Sequence, residues 1–323
     1  MSRPQLLLPL IALILASLAC SLPGGATPAP AVAPVTETVV IPTNIATVAP
    51  PTPTTAPGLT LEQTLNAAYQ LPGSDGNLQT FQLTDGAFQN GSDGSAPNFA
   101  SIFINPGAVA LGDLNDDGVG DAVAPIGIGY GGSGTFVYLA ALINQGGMPV
   151  HNPATTYGLG DRTNVTALEI ADGKIYVTAI LHGPNDPLCC PSVPTSMIFE
   201  YNEMGYRVLH WTTTAPSGLV REINITDPAP EAQIGASLTL RGKTSVGPFE
   251  NTLVYRIYAA DGMAVTESSL MVTNTDIGQP STFELPLDFA ALGLHGRIRV
   301  EVAEMSMADG SVLMLDSIYL NVP

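Results

Sequence analysis

A run of acidic and amide side chains between residues 113 and 121 has the composition of a cation-binding loop. Side-chain oxygens fall at positions 1, 3, 5 and 9 of this run and a backbone carbonyl at position 7, from Asp113, Asn115, Asp117, Asp121 and Val119. Gly118 at position 6 allows the chain to turn sharply. Ca²⁺ prefers hard oxygen ligands in flexible geometry, so this spacing predicts a calcium site with a structural role.

The residues around this loop decide which kind of calcium site it is. An EF-hand would need Glu at position 12, where this chain has Ala124. The run instead resembles the short DxNxDGxxD loops that join strands in integrin-type repeats, and the flanks at 109–111 and 122–126 have strand patterns. The alternative is an Asp/Asn/Gly turn that binds no cation. The close carboxylates would repel one another without a cation, which favours the metal.

The adjacent pair Cys189 and Cys190 is the second group that could carry chemistry. Thiols outside the cytoplasm tend to oxidise, so we predict a vicinal disulfide that makes the loop rigid. A metal site would recruit His182 and Asp186, although zinc ligands are normally spaced two to four residues apart. A redox-active pair is the remaining alternative, because strained disulfides are reduced more easily.

Other signatures of catalysis are weak in this sequence. It contains neither a G-x-S-x-G elbow nor an H-E-x-x-H motif. The glycine-rich stretch 127–134 precedes a strand pattern rather than a helix, so it predicts a turn and not a phosphate loop. We therefore expect a protein that is not an enzyme. The only plausible reactive centre is the loop His182–Cys190, and this alternative stays open.

The first twenty residues indicate where the protein works. A basic start precedes an apolar run, Leu6 to Leu15, of signal-peptide length. Ser17-Leu18-Ala19-Cys20 then resembles a bacterial lipobox. The resemblance implies a signal peptide over 1–19 and a lipid, such as palmitate, attached to Cys20. The expected localisation is extracytoplasmic, lipid-anchored to the cell membrane. An ordinary signal peptide and an uncleaved anchor are the alternatives.

Composition limits the partners that this chain can bind. Of 323 residues, 10 are Lys or Arg and 28 are Asp or Glu, which gives a net charge of -18. Such a balance argues against nucleic acid and against electrostatic docking on anionic lipids. It is compatible with cation binding. We expect contact with the membrane through the N-terminal lipid, and an envelope protein or cell-wall polymer as partner.

A linker separates the lipid site from the ordered part of the chain. Residues 20–58 are rich in Pro, Thr and Ala and contain a single charged residue, Glu37. Such a composition favours extended polyproline II, which at about 3.1 Å per residue reaches on the order of 120 Å. The linker is expected to act as a flexible stalk.

Residues 59–215 predict a mostly antiparallel β domain that begins with a short helix. Thr60 and Gln63 form a capping-box pattern, and helical spacing continues to about Tyr69. Asp172-Gly173 is a tight-hairpin signal. Candidate strands in this region are 80–83, 101–104, 122–126, 135–143, 165–170, 175–181, 197–201 and 206–209.

Residues 219–323 predict a β-sandwich, because apolar and polar side chains alternate. Examples are the runs Phe283–Leu287, Ile298–Val302 and Ile318–Val322, each with one face expected inward and the other outward. Pro216-Ser217-Gly218 marks the predicted boundary.

Two family resemblances accompany these patterns. The segments Gly235–Gly242 and Phe249–Leu253 resemble the immunoglobulin-like domain of bacterial spore-germination proteins. That resemblance implies an interaction module. The stretch Gly112–Gly118 and the later run Gly131–Leu139 resemble an uncharacterised family of exported bacterial domains, which implies no activity.

The sequence therefore predicts a mainly β protein: an antiparallel β domain with a short N-terminal helix, then an immunoglobulin-like β-sandwich. The expected function is that of a cell-envelope lipoprotein, a non-catalytic binding or structural module on a flexible stalk. A carbohydrate or peptidoglycan binder is the alternative. It would use exposed rings on one sheet face, for which Tyr130, Phe136 and Tyr138 are the candidates.

Overall fold

The computed structural model describes residues 57–92, 94–96, 98–274 and 278–323. The predicted signal peptide, the lipid site at Cys20 and all but the end of the linker lie outside the described residues. The described residues belong to one compact unit. None of the helices among them has the length and apolarity needed to cross a membrane.

The N-terminal half of the described chain contains one α-helix and twelve strands. The helix is α1 (Leu61–Leu65). The strands are β1 (Ala68–Pro72), β2 (Leu78–Gln82), β3 (Ala87–Asn90), β4 (Ala100–Ile104), β5 (Ala110–Gly112), β6 (Asp121–Gly129), β7 (Phe136–Gln145), β8 (Met148–Asp161), β9 (Asn164–Ala171), β10 (Lys174–Leu181), β11 (Val193–Asn202) and β12 (Gly205–Thr214).

The C-terminal part adds nine strands within the described residues. These are β13 (Val220–Arg221), β14 (Ile223–Asp227), β15 (Ala232–Gln233), β16 (Ser237–Thr244), β17 (Thr252–Tyr258), β18 (Ala264–Met271), β19 (Ser281–Asp288), β20 (Gly296–Met305) and β21 (Val312–Val322). Single 3-10 turns occupy Pro106–Ala108 and Phe249–Asn251.

The predicted fold class is confirmed, because the described chain is mainly antiparallel β with a short leading helix. Thr60 and Gln63 form the predicted capping box. The predicted end of the helix near Tyr69 is wrong, since α1 stops at Leu65 and Tyr69 lies in β1. Tyr69 and Leu71 are buried and alternate with exposed residues. In a strand, residues two apart share a face, so both side chains enter the core, whereas a helix would point them in different directions.

The strands form four sheets in the described residues. A two-stranded hairpin joins β1 and β2. A six-stranded sheet has the order β3-β4-β6-β7-β8 with β5 on β6. A ten-stranded sheet has the order β18-β17-β20-β21-β12-β11-β10-β9, with β13 on β12 and β15 on β21. A three-stranded sheet has the order β14-β16-β19.

Three apolar cores hold these sheets together. The N-terminal core lies between the hairpin and the six-stranded sheet and includes Tyr69, Phe81, Ile102, Ile126 and Ile128. The central core lies between the six-stranded and ten-stranded sheets and includes Val123, Leu139, Phe199, Trp211 and Leu315. The C-terminal core lies between the ten-stranded and three-stranded sheets and includes Leu240, Ile257, Phe283, Phe289 and Val300. The result is four stacked layers.

The ten-stranded sheet runs across the predicted boundary at residues 216–218. β12 pairs with β21 in antiparallel register, with Trp211 opposite Leu315. The Thr213 hydroxyl also donates a 2.6 Å hydrogen bond to the carbonyl of Leu313. The two predicted domains therefore share one sheet. Their division into residues 59–215 and 219–323 stays a prediction from the sequence.

Strand β20 departs from the alternation expected of it. Val300 and Val302 face the C-terminal core as predicted. Arg299 and Glu301, which were expected to face outward, are also buried. The expectation of an exposed second face is wrong because Ala303, on that same face, packs in the central core.

Candidate functional site

The acidic loop connects β5 to β6, as the sequence predicts. Its side chains fold back on its own backbone: Asp113 Oδ2 accepts a hydrogen bond from Gly118 N at 2.8 Å, and Asp117 Oδ1 accepts one from Val119 N at 2.8 Å. Asn115 Oδ1 accepts from Asp117 N at 3.2 Å. The structure thus brings Asp113, Asn115 and Asp117 together on the exposed part of the loop.

Asp121 has a different position from the other predicted ligands. It is fully buried, and its two carboxylate oxygens accept hydrogen bonds from Leu114 N at 2.9 Å and Asn144 N at 2.8 Å. Burial raises the pKa of the Asp121 carboxyl, and the charges of Asp117 and Asp113 raise it further. Asp121 therefore joins the start of the loop to the beginning of β6 and to β7.

The vicinal cysteines lie in the turn between β10 and β11. Their sulfur atoms are bonded at 2.12 Å. Asp186, from the same turn, accepts hydrogen bonds from Gly183 N, Ser192 N and the Ser192 hydroxyl at 2.7–2.8 Å. These bonds hold the pKa of the Asp186 carboxyl below its ordinary value.

The alternative metal site at this turn finds little support in the geometry. The Nε2 atom of His182 is buried without a hydrogen-bond partner, while Asp186 is occupied by the backbone and hydroxyl of the loop. Among the described residues, no group of three or more His, Cys, Asp and Glu side chains is placed to hold a metal ion. Cys189 and Cys190 thus appear in a loop fixed by hydrogen bonds.

Two histidines have partners that explain their pKa values. His151 is buried, accepts from Gln70 N at 3.0 Å and lies 3.0 Å from the Thr156 hydroxyl; desolvation lowers its pKa to about 4. His210 lies on β12 with Nδ1 3.3 Å from Asp316 of β21. The hydrogen bond to Asp316 raises the pKa of His210 above its ordinary value, against a smaller desolvation effect.

The predicted row of rings is only partly exposed. Phe136 is 42% exposed, and its ring centroid lies 6.0 Å from that of Tyr130. Tyr138 shares the face of Phe136 but packs against the N-terminal core, and Tyr130 donates its hydroxyl to the carbonyl of Pro72 at 2.6 Å. Tyr130 packs against the same core, so a sugar platform built on all three rings would lose both tyrosines to it and keep only Phe136 exposed.

The residues that the sequence reasoning missed form a cavity on the ten-stranded sheet. We call it the arginine cavity. It has a volume of about 430 Å³ and is lined by β12, β17, β20 and β21. Its charged lining consists of Arg207, Arg256, Arg297, Arg299 and Glu301. Four of the ten basic residues of a chain with net charge -18 thus meet at one place.

A network of carboxylates partners these arginines. Glu301 accepts from Arg256 at 2.9 Å and from Arg299 at 2.8 Å, and it is buried with Arg299. The other acceptors lie toward the rim and are more exposed: Glu200 for Arg207, Glu231 for Arg297 and Glu267 for Arg256.

Tyrosine rings form much of the remaining wall. The guanidinium carbon of Arg297 lies 3.5 Å from the centroid of the Tyr319 ring, and that of Arg299 lies 3.9 Å from the Tyr258 ring. Such stacking fixes a guanidinium in place. The Tyr206 ring also lines the cavity, and its buried hydroxyl has no hydrogen-bond partner.

One sequence signal could have located this cavity. Arg256 and Tyr258 are two residues apart on one strand, as are Arg299 and Glu301 on another. Residues two apart share a face of a strand, so each pair marks a face with charge on it. The alternation of apolar and polar residues over Ile298–Val302 predicts that the face of Arg299 and Glu301 meets solvent. Only the pairing of β17 with β20 and of β21 with β12 turns these faces into a common wall.

Comparison with known families bears on the C-terminal part of the chain. Residues 222–311 match a family model described as the immunoglobulin-like domain of bacterial spore germination. The C-terminal resemblance is confirmed. The matched segment contributes β17, β20 and three of the four cavity arginines, whereas Arg207 comes from the preceding region. No curated protein sequence matches the chain.

Proposed function

We propose that this protein is a cell-envelope lipoprotein that works as a non-catalytic binding or structural module. The observation that carries the proposal is the similarity of residues 222–311 to an immunoglobulin-like domain of bacterial spore germination, because β-sandwiches of this kind serve as interaction modules. The lipobox-like sequence at Cys20 and the Pro-rich stretch 20–58 supply an anchor and a stalk.

The hydrogen bonds of the cysteine turn support a structural rather than a reactive role. Asp186 accepts three hydrogen bonds inside the turn, so its carboxylate is engaged in holding the turn and not in activating a neighbour. Arg162 adds a 2.5 Å hydrogen bond to the carbonyl of Leu188. We assign the Cys189–Cys190 bond to rigidity of this turn.

Calcium is the proposed structural ion of the loop 113–121. In the described residues these side chains are turned to the loop's own backbone and form no group already placed to hold a metal ion, so binding would require Asp113, Asn115 and Asp117 to turn their side-chain oxygens, and Val119 its carbonyl, toward the ion. The carboxylate oxygens of Asp121 each accept one backbone hydrogen bond and keep a second lone pair for a cation. The ion would neutralise the carboxylates that raise the pKa of Asp121.

Metabolic labelling with palmitate tests the anchor. We expect the wild-type protein in its native host to incorporate label and to fractionate with membranes, and Cys20→Ser to do neither. Cys190→Ser serves as the control, because it removes a cysteine from the folded part and leaves Cys20 in place. Labelling of Cys20→Ser, or an unlabelled wild type, would refute the lipoprotein assignment.

Thermal unfolding in calcium and then in chelator tests the ion. Calcium is expected to raise the midpoint of the wild type and not that of Asp117→Ala. Asp75→Ala is the matched control, because Asp75 likewise accepts a hydrogen bond from the backbone two residues on, at 3.0 Å, but lies outside the loop. An equal calcium response in wild type and Asp117→Ala would show that the loop is a turn without a cation.

A further inference from the structure

We propose that the arginine cavity binds the carboxylate of a small organic anion, with the body of the ligand against the tyrosine and aliphatic wall. This inference deepens the proposed binding function and rests on it. It does not depend on the lipid anchor, so the two can fail separately.

The distribution of charge is the first reason. Arginine is concentrated at this cavity although the chain as a whole is strongly acidic, and Glu301 is the only carboxylate that lines it among the described residues. The partners of the outer arginines are exposed: Glu231 by 51% and Glu267 by 63%. Arg297 holds Glu231 in a bidentate pair, with Nε 3.1 Å and Nη2 2.6 Å from Oε1, but both side chains face solvent, which screens the pair, so a ligand carboxylate can compete with it.

Unused donors are the second reason. Within the described chain, the hydrogen bonds of Arg207 run through Nη1 and those of Arg256 through Nε and Nη1, which leaves the Nη2 groups of these two side chains for a ligand. A guanidinium presents its N–H groups as a planar fork that matches the two oxygens of a carboxylate. Arg207 is 21% and Arg256 22% exposed, so these donors can be reached by a ligand that accepts from them.

Preorganisation is the third reason. Stacking on Tyr258 and Tyr319 and the buried pair with Glu301 hold Arg299 and Arg297 before any ligand arrives. A site whose side chains are already fixed loses less conformational entropy on binding. The volume of about 430 Å³ is that of a small-molecule site, and Val208 and Leu315 provide apolar wall.

Calorimetric titration of the full chain tests the proposal with two acids from different sources. The probes are N-acetyl-alanyl-alanine, which ends in a peptide carboxylate, and glucuronate, a sugar acid. Their neutral amides and inorganic phosphate are titrated in parallel. We expect one acid to bind more tightly than its amide and than phosphate, and the acid that binds identifies the source of the ligand.

Arg297→Gln is the test variant. It removes one cavity guanidinium that is 46% exposed, and its partner Glu231 is exposed enough to be solvated without it. Charge-assisted hydrogen bonds are strong, so we expect binding of the acid to weaken about tenfold or more. Arg241→Gln is the matched control, because Arg241 is 50% exposed, pairs with two carboxylates and lies on β16 away from the cavity. We expect it to bind like the wild type.

Three results would overturn the proposal. The first is that neither acid binds more tightly than its amide. The second is that phosphate binds and neither carboxylate does. The third is that Arg297→Gln and Arg241→Gln weaken binding equally, which would reflect only a change of net charge. Arg207→Gln, measured in the same way, keeps the test decisive where Arg297→Gln fails to fold. None of these results alters palmitate labelling at Cys20.

Discussion

His210 joins the two parts of the ten-stranded sheet through a pair of carboxylates. Its Nδ1 lies 3.3 Å from Asp316, and its Nε2 lies 3.8 Å from Glu222. Asp316 also accepts a hydrogen bond from Ile225 N at 2.8 Å, so this carboxylate keeps a partner when His210 is replaced. The raised pKa of His210 therefore reports an interaction that belongs to the folded state.

The expected pH dependence follows from that direction. A histidine whose pKa is higher when folded than its unfolded value of 6.5 stabilises the protein fully below pH 6.5, and this contribution is lost as pH rises through the folded pKa. We expect His210→Gln to lower the free energy of unfolding by about 1 kcal/mol near pH 6 and by much less near pH 9. Denaturant unfolding at the two pH values measures this difference.

His295→Gln is the control for this prediction, because His295 is exposed. It should leave the free energy of unfolding unchanged at both pH values. His151 acts in the opposite sense in the wild type and in every variant: with a folded pKa of about 4, it stabilises above pH 6.5 and this contribution is lost as pH falls toward 4. A His210→Gln effect that grew with rising pH would contradict the assigned pairing.

At the scale of elements, one buried carboxylate, that of Asp121, connects the loop between β5 and β6 to strand β7. Asp121 begins β6 and is fully buried, and its oxygens hold Leu114 N at the start of the loop and Asn144 N in β7. The three segments therefore meet at one side chain. This makes Asp121 structural even without a cation.

Asp121→Ala should be strongly destabilising in calcium-free buffer. Two buried N–H groups would lose their acceptor, and each unsatisfied group costs about 1–3 kcal/mol, so we expect a loss of about 2–6 kcal/mol. Asp117→Ala is the comparison, because Asp117 is exposed and accepts its bonds within the loop. It should cost much less. Equal losses in chelator, measured by denaturant unfolding, would contradict the anchoring role of Asp121.

At the scale of the whole molecule, the shared sheet couples the two predicted domains. The central core contains Val123 and Phe199 from the first and Ala303 and Leu315 from the second. A core that spans both regions makes their unfolding cooperative. We therefore expect one thermal transition for the folded part, where two independent domains would give two.

Leu315→Ala tests this coupling. Leu315 is 3% exposed and packs opposite Trp211, so truncation should cost about 2–5 kcal/mol. We expect fluorescence of Trp211, the single tryptophan, and calorimetry to give the same lowered midpoint. Leu270→Ala, which truncates a buried leucine of the C-terminal core, should shift both probes in the same way. A calorimetric transition that moved without the fluorescence would show that the regions unfold separately.

The sequence by itself determined the local structure of this protein. The apolar patterns predicted strands that overlap β2, β4, β6, β7 and β9–β12. Most of these have one buried face and must alternate, whereas β6 is an apolar run buried on both faces. Thr60 and Gln63 predicted the start of α1, and Asp172-Gly173 predicted a turn whose two residues have positive φ. The sequence of the C-terminal region was also sufficient to predict its similarity to an immunoglobulin-like domain, which residues 222–311 match.

Tertiary structure alone decided which strand faces meet. Alternation shows that a strand has two faces, but it cannot say whether the polar one meets water or another layer. Arg299 and Glu301 have the pattern of a solvated face and are nevertheless buried, because β20 pairs in a sheet that is covered on both sides. Arg207 is distant in sequence and reaches them only through the pairing of β12 with β21. The arginine cavity therefore exists only in the folded sheet.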